Sequence, residues 1–379
     1  MKTLFLFSAF FSLYSYFIYP LILGLIPVRR SAVVPPAIRE AALPTLSLII
    51  TAYNEQQRIR DKLQNTLAID YPRERLEIIV ASDCSNDETD AIVGSYAERG
   101  IKLVRADERR GKEYAQLCAI KAAAGEVLVF SDVATQIEPT ALRRLAARFA
   151  DVTVGAISSE DRFISLDGSV VGEGAYVQYE MWLRRLESQR AGLVGLSGSF
   201  FAARRVVCEA WDIASPSDFN TALNCAKAGL TAITCPEVVG IYSDVKDPGL
   251  EHRRKLRTII RGMTAIARHR EVLNPFQMGL FAFQVWSHKI LRWTVPWCMV
   301  LLLVLSLLLS GQHGFYALAL VAQLLFYGLV LIGHLNGTLR NHPLIKLPYF
   351  FVQVNIAIAR ATLLFFSGKR MTTWTPSQR

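Results

Sequence analysis

The sequence contains no CxxC pair. Its six cysteines (Cys84, Cys118, Cys208, Cys225, Cys235 and Cys298) are scattered. That argues against a disulfide framework or a cysteine metal site, and leaves them as small buried hydrophobes in a reducing compartment. No GxGxxG follows the first apolar strand, where Thr51-Ala-Tyr-Asn-Glu55 stands instead, so the dinucleotide fingerprint is missing. Nor is there a GxxxxGK[ST] phosphate loop. No zinc-finger or RNA-binding motif accompanies the net charge of +10, so nucleic acid is not an expected partner. Internal repeats and low-complexity tracts are lacking as well. Charge is missing at the two ends: Thr3–Val28 and Thr294–Gly333 hold no Asp, Glu, Lys or Arg.

Those uncharged ends explain why 52% of the 379 residues are hydrophobic and why mean hydropathy is +0.27. Residues 29–272 carry charge every few positions. The expected organisation is a soluble middle between membrane ends: an anchor at 1–28, a cytoplasmic domain at 29–272, and an interfacial helix with membrane segments at 273–379. Thr3–Val28 is long enough to cross about 30 Å of hydrocarbon at about 1.5 Å per residue. A cleaved signal peptide has a shorter apolar core and a small-residue cleavage site. This stretch ends in Pro27-Val28-Arg29-Arg30, which favours an uncleaved anchor with its basic side in the cytoplasm. The net positive charge suits an anionic inner leaflet. Pro35-Pro36 reads as a short linker.

At the other end, Thr294–Ser310 and Phe315–Gly333 read as two spans. Leu344–Phe366 contains Lys346, Gln353, Asn355 and Arg360. Charge at mid-membrane is expensive, so an interfacial or re-entrant helix is favoured over a fourth span there.

In the middle, β-rich runs alternate with helical periodicity. Leu46–Ile50, Leu76–Val80, Ile101–Val104 and Val127–Phe130 are strands, and Ile59, Leu63 and Leu67 mark one face of a helix. Such alternation predicts an α/β fold with a mostly parallel sheet covered on both faces. The strand ends share one edge, where ligands of open α/β sheets sit. They carry Thr51-Ala-Tyr-Asn-Glu55, Asp83-Cys-Ser-Asn-Asp87, Arg109-Arg-Gly-Lys112 and Ser131-Asp132. Acidic, aromatic and basic groups thus converge on one cleft that could take a nucleotide. Asp132 alone could equally be a turn or helix-cap carboxylate.

These four segments, in this order over about 80 residues, resemble those of family 2 glycosyltransferases with a GT-A fold. The resemblance implies a Rossmann-like mixed sheet. It also implies that Tyr53, Glu55 and Asp83 hold the uridine of a nucleotide sugar, with Lys112 by the base and diphosphate. Asp132 would be the surviving carboxylate of the metal-binding DxD motif, holding Mg²⁺ or Mn²⁺. Ala134 stands where that motif has its second acid, which implies a weaker metal site.

Further on, Gly195-Leu-Ser-Gly-Ser-Phe-Phe201 is either a turn entering a strand or, by the resemblance, part of an acceptor pocket built on Gly195, Ser197 and Gly198. Ser215-Pro-Ser-Asp218 is a good helix start. The family carries a pair of acids there, of which the second is the catalytic base. Here the first is Ser217 and the second is Asp218, a carboxylate able to deprotonate an acceptor hydroxyl. Glu251–Arg270 is a basic amphipathic stretch, suited to a membrane surface or to a diphosphate. Lys289-Ile-Leu-Arg292-Trp293 is similar to the QxxRW of processive members, with Lys for Gln. Arg292 and Trp293 suit an acceptor sugar or diphosphate, or an interfacial anchor. Thr373-Trp374-Thr375 is weakly similar to a gating segment of family synthases.

The function so implied is inverting transfer from a cytoplasmic UDP-sugar to a saccharide or lipid-linked saccharide. The setting is a multi-pass protein of the bacterial inner membrane that makes exopolysaccharide or surface glycan. Transfer of one sugar to a polyprenyl phosphate or glycolipid is the alternative within the same chemistry. A non-catalytic subunit that binds nucleotide or saccharide is the alternative outside it, on the strength of Ala134 and Ser217. Export or polymerisation partners are not indicated by the sequence.

Overall fold

A computed structural model describes residues 1–29, 43–164, 175–243, 248–340 and 342–371. The Pro35-Pro36 linker and Thr373-Trp374-Thr375 lie outside the described residues. The chain divides into two compact units. One comprises residues 26–251, 261–283 and 371–379, and the other 1–25, 252–260 and 284–370.

The first unit is an α/β domain around one eight-stranded sheet. Its strands are β1 (Leu46–Ala52), β2 (Leu76–Ser82), β3 (Ile101–Arg105), β4 (Val127–Asp132), β5 (Gln136–Ile137), β6 (Val154–Ile164), β7 (Phe200–Arg204) and β8 (Thr231–Ser243). They lie in the order β3-β2-β1-β4-β7-β6-β8-β5. The first four are mutually parallel, as the alternation with helices predicts. β7 then runs antiparallel to both β4 and β6, and β6 pairs with β8 in parallel. The sheet is therefore mixed. Every residue of β1 is buried, because helices cover both faces. Leu46, Leu48 and Ile50 enter the core on one face with Ile59 and Leu63. Ile49 points into the other with Ala115, Phe130, Phe201 and Trp211, the two-residue alternation of a strand. Phe130 stacks on Phe201 at 4.7 Å and on Trp211 at 5.1 Å between ring centroids. Arg29 is tied to this unit. Its backbone N–H donates to Gln189 and its guanidinium to Thr153 and Thr231.

A buried ion pair fastens the helix Lys112–Ala122 to the basic helix Pro248–Arg268: Arg261 Nη2 lies 2.7 Å from Glu113 Oε1. Trp211 Nε1 donates to the Glu113 carbonyl at 2.9 Å. Both charges are almost fully enclosed, and removing one partner strands the other. Glu113→Gln is expected to cost about 3 kcal/mol of stability, read as a lower midpoint in thermal or denaturant unfolding.

The second unit holds the apolar helices. Among the described residues, four are long and apolar enough to cross a membrane: Lys2–Leu25, Leu280–Leu309, Gly314–Leu335 and Pro343–Phe366. The segment Tyr14–Ile18 and the segment Trp286–Ile290 each adopt one π-helical turn. They are joined by the Tyr14 hydroxyl and Ser287 Oγ at 3.0 Å. Gln323 Nε2 donates to Ser306 Oγ across two neighbouring helices at 2.6 Å. Phe5 packs edge-on against Tyr316 at 5.0 Å. Leu307, Leu308, Leu318, Leu325 and Leu335 face outward, as helices in lipid do.

The stretch around Leu344–Phe366 differs from the expectation of an interfacial or re-entrant segment. It is one unbroken 24-residue helix, Pro343–Phe366, long and apolar enough for a span. Its polar residues are less costly than their number suggests. Asn355 is buried within the unit and donates to the Phe351 carbonyl. Lys346 lies in the first turn. Arg360 is exposed within two turns of the C-terminus, close enough for its head group to leave the hydrocarbon.

Candidate active site

The register of the sheet levels the strand ends. Ala52 pairs with Ser82, and Thr51 pairs with Asp132, so the loops after β1, β2 and β4 start side by side. The first two loops are knitted together. The Asn86 N–H donates to Asn54 Oδ1, Asn54 N–H to Ser85 Oγ, Glu55 N–H to Thr89 Oγ1 and Gln56 N–H to Asp87 Oδ2. Each loop also has one non-glycine residue at positive φ, Asn54 at 52° and Cys84 at 57°. Such strained residues persist where the surroundings over-determine them, and they cluster at functional sites.

Within this frame Asp83 is fully buried. Its Oδ1 accepts the backbone N–H groups of Arg110 (3.2 Å) and Gly111 (3.0 Å). Gly111 has φ 102°, a backbone conformation open to glycine at little cost, and this turn brings both N–H groups onto the carboxylate. Oδ2 of Asp83 is buried without a partner. An acceptor left in that state has room for a ligand N–H or O–H. Burial pushes the Asp83 carboxyl above its ordinary range, against the pull of the Gly111 and Arg110 N–H groups. Glu55 is also buried, and burial raises it despite its ion pair with Arg58 at 2.7 Å. Tyr53 lies half-buried with the Arg109 guanidinium 3.9 Å from its ring centroid, a cation–π contact.

Lys112 opens the helix that follows Gly111. Its ammonium lies 2.5 Å from Asp132 Oδ1 and 2.9 Å from the Gly198 carbonyl. It thus bridges the end of β4 to the loop 195–199. Asp132 is not a helix cap. It ends β4, its N–H donates to the Ser199 carbonyl, and its own carbonyl accepts from Thr135 to close a turn.

On the far side of the same loop stands Asp218. It lies inside the first turn of the helix Ser217–Lys227, where Pro216 occupies the N-cap position. No side chain caps this helix start. Asp218 Oδ1 accepts from the Phe219 N–H at 2.9 Å. Oδ2 faces Gly198: a Cβ added at that glycine would come within 3.1 Å of it. Gly198→Ala is expected to displace this carboxylate by a few tenths of an ångström and lower turnover about tenfold with an unchanged melting temperature. Steady-state kinetics beside thermal unfolding checks it.

The structure thus brings Lys112, Asp132, Ser197, Gly198 and Asp218 together around one loop, with Asp83, Glu55 and Tyr53 on the neighbouring strand ends. Gly195 lies at the start of that loop, 3.6 Å by its Cβ position from Phe219. Arg292 and Trp293 are described apart from this group. They belong to the unit of apolar helices, inside the segment Leu280–Leu309. There Arg292 is buried, with its guanidinium 4.8 Å from the Tyr16 ring centroid.

Two residues escaped the reading of the sequence. Asp161 on β6 accepts from Ser197 Oγ at 2.5 Å and Ser199 Oγ at 3.1 Å. It therefore orients the hydroxyls of the same loop. Lys62 is a lysine on the apolar face of the helix Ile59–Leu67, three residues from Ile59 and one from Leu63. Its burial lowers its pKa to about 7, with the charge of Asp132 opposing the fall. A cation at a core position of an amphipathic helix is a readable signal for the second. A Glu-Asp pair within a strand is a weaker one for the first.

The chain was compared with known proteins. A family model, Glycosyl transferase family 2, matches residues 47–210. The succinoglycan biosynthesis protein ExoO of Rhizobium meliloti (strain 1021) is 31% identical over 135 residues, covering 35% of this chain and 37% of the relative. The poly-beta-1,6-N-acetyl-D-glucosamine synthase of Staphylococcus aureus (strain COL) is 28% identical over 178 residues, 46% of this chain and 42% of the relative. The chain thus matches less than half the length of these relatives. Among solved structures, the mannosyltransferase PcManGT from Pyrobaculum calidifontis, in complex with GDP-Man and Mn²⁺, superposes with a TM-score of 0.72 at 23% identity. The match covers 97% of this chain and 99% of that one. Residues 47–210 match the glycosyl transferase family 2 model, and the chain shares the fold of the mannosyltransferase it superposes on, with apolar helices toward both ends.

Proposed function

We propose that the chain transfers a sugar, with inversion, from a nucleotide sugar to a saccharide or lipid-linked saccharide at a membrane, in exopolysaccharide or surface-glycan synthesis. A UDP-sugar is the first donor to test. The observation that carries this reading is that the Lys112 ammonium, paired with Asp132, and the Asp218 carboxylate meet at one residue, Gly198. The names of the relatives support the polysaccharide setting. Membrane placement rests on the four apolar helices among the described residues; the basic Arg29-Arg30 after the first supports a cytoplasmic catalytic domain, and the bacterial relatives support the inner membrane.

Asp218 Oδ2 accepts the proton of the acceptor hydroxyl as that oxygen attacks the anomeric carbon. The bond from this carbon to the diphosphate oxygen breaks, and its electron pair leaves with the nucleoside diphosphate. Attack opposite the leaving group inverts the anomeric centre. Lys112 places an ammonium where the diphosphate charge develops. Asp83 Oδ2 and Glu55 accept hydrogen bonds from base or ribose, and Tyr53 offers its ring. Gly195, Ser197 and Gly198 line the acceptor side.

The residues fit Mg²⁺ or Mn²⁺ in a limited way. Among the described residues no cluster of three His, Cys, Asp or Glu side chains could cage a metal. Mg²⁺ ordinarily needs only one or two carboxylates beside substrate phosphates, and Asp132 supplies one. A divalent ion held there would neutralise charge on the diphosphate.

The test is product stereochemistry. The detergent-solubilised protein is incubated with single UDP- and GDP-sugars, Mn²⁺ and lipid extract, and the new linkage is assigned by NMR. An anomeric configuration opposite to the donor's supports the reading; retention contradicts it. Product size separates one-sugar transfer from polymer synthesis.

A further inference from the structure

The donor-side carboxylate is held from behind by a helix that takes no part in the chemistry described above. The helix Ile59–Leu67 grips the segment 131–137 through two side chains. Lys62 Nζ donates to Ser131 Oγ at 2.8 Å and to the Thr135 carbonyl at 2.5 Å. Asn65, one turn on, exchanges two hydrogen bonds with the backbone of Ile137. Its Nδ2 donates to the Ile137 carbonyl and its Oδ1 accepts the Ile137 N–H, both at 2.9 Å. Between these grips lies the turn closed by Thr135 N–H on the Asp132 carbonyl at 3.2 Å. The opposite side of the turn is held by Ser199, whose carbonyl accepts from Asp132 N–H at 3.0 Å and Thr135 Oγ1 at 3.4 Å.

Lys62 is buried. A buried ammonium is costly unless hydrogen-bonded, and here Ser131 Oγ and the Thr135 carbonyl, on either side of Asp132, accept from it. An apolar side chain would fill the same core position without that cost, and it would leave Ser131 Oγ and the turn carbonyl without this donor. The turn also lacks the second acid of a DxD motif, having Ala134 instead. Asp132 is then the one carboxylate of that motif left to be aimed.

We propose that Lys62 is a positioning residue for the donor site, fixing the 132–135 turn so that the Asp132 carboxylate meets Lys112 and a divalent ion at once. This rests on the reading of Asp132 as the metal carboxylate. The aim of the carboxylate is set by the Lys62 ammonium through Ser131 and Thr135, and Asn65 holds the downstream end.

The experiment compares wild type with Lys62→Met, Lys62→Arg and Ser131→Ala in two readouts. The first is amide hydrogen exchange on the full-length protein in detergent. Lys62→Met is expected to speed exchange about tenfold over 132–137, with β1 and the rest of β4 unchanged. The second is the Mn²⁺ concentration that gives half-maximal UDP binding. It should rise about tenfold in Lys62→Met, as when an outer partner of a metal ligand is lost. Lys62→Arg should restore part of it, and Ser131→Ala, which removes one of the two contacts, should shift it a few-fold. Wild-type exchange at 132–137 in folded Lys62→Met overturns the proposal. So does an unchanged Mn²⁺ requirement in a protein that binds UDP. Should Lys62→Met fail to fold, Ser131→Ala decides by the same two criteria. If wild type binds no UDP at any Mn²⁺ concentration, the metal reading of Asp132 fails, while the exchange result still decides whether Lys62 fixes the turn.

Discussion

Asp218→Asn is expected to lower turnover by about 10²–10⁴, the usual contribution of general base catalysis, while nucleotide affinity stays within a factor of about two. The amide matches the carboxylate in size. Its oxygen can still accept the Phe219 N–H that Asp218 Oδ1 takes in the native protein, so the helix start is preserved. The atom facing Gly198 becomes an amide nitrogen, which cannot accept the acceptor's proton. Because the side chain is only partly buried, in the first turn of its helix, stability should change little. Single-turnover kinetics with saturating donor isolates the chemical step from binding. A loss of only a few-fold would remove Asp218 from the mechanism.

Asp132→Asn should act at the other side of the loop and on a different quantity. Asp132 is partnered by the Lys112 ammonium and remains partly open to solvent, with 28% of its side chain exposed. The amide keeps the turn, because the turn is closed by backbone atoms and by Lys62. What is lost is the negative charge. The ammonium of Lys112 keeps the Gly198 carbonyl but loses its anion, and a divalent ion held there would lose the carboxylate that Asp132 offers. A metal contributes several kcal/mol of charge stabilisation, and each 1.36 kcal/mol is tenfold in rate. Turnover at fixed Mn²⁺ is therefore expected to fall by about 10²–10³, with the Mn²⁺ dependence flattened. Titrating Mn²⁺ against initial rate for both proteins measures it. An unchanged Mn²⁺ dependence would mean that the ion binds elsewhere or is not used.

Much of this site was readable because it is local to strand ends. Leu46–Ile50 and Val127–Phe130 are continuous apolar runs, and such runs in alternation with helices mean a parallel sheet whose loops share an edge. Tyr53, Asp83, Lys112 and Asp132 follow from that geometry and from their order. The antiparallel β7 and the doubled pairing of β6 were not readable. Their partners are set by long crossings, and nothing in Phe200–Arg204 names β4 as its neighbour. Asp161 was missed for the same reason, since its meaning depends on Ser197 and Ser199 across the sheet. Lys62 stands beside Leu63 and three residues from Ile59, on the buried side of its helix, but a lysine is ordinarily a surface residue. At the C-terminal end, the charges within 344–366 were weighed by number. Where they fall decides their cost. Asn355 is buried inside the unit with its amide N–H on the Phe351 carbonyl, and Lys346 and Arg360 lie toward the helix ends.

Nucleotide release tests the central claim most directly. The purified, detergent-solubilised protein is given UDP- and GDP-sugars one at a time, with and without Mn²⁺ and with membrane lipid extract as acceptor, beside the Asp218→Asn variant. Release from one donor, dependent on Mn²⁺ and lost in the variant, is the expected result and names the sugar. UDP binding without release from any donor, in the presence of acceptor, would contradict the account and leave a nucleotide-binding protein on a transferase fold.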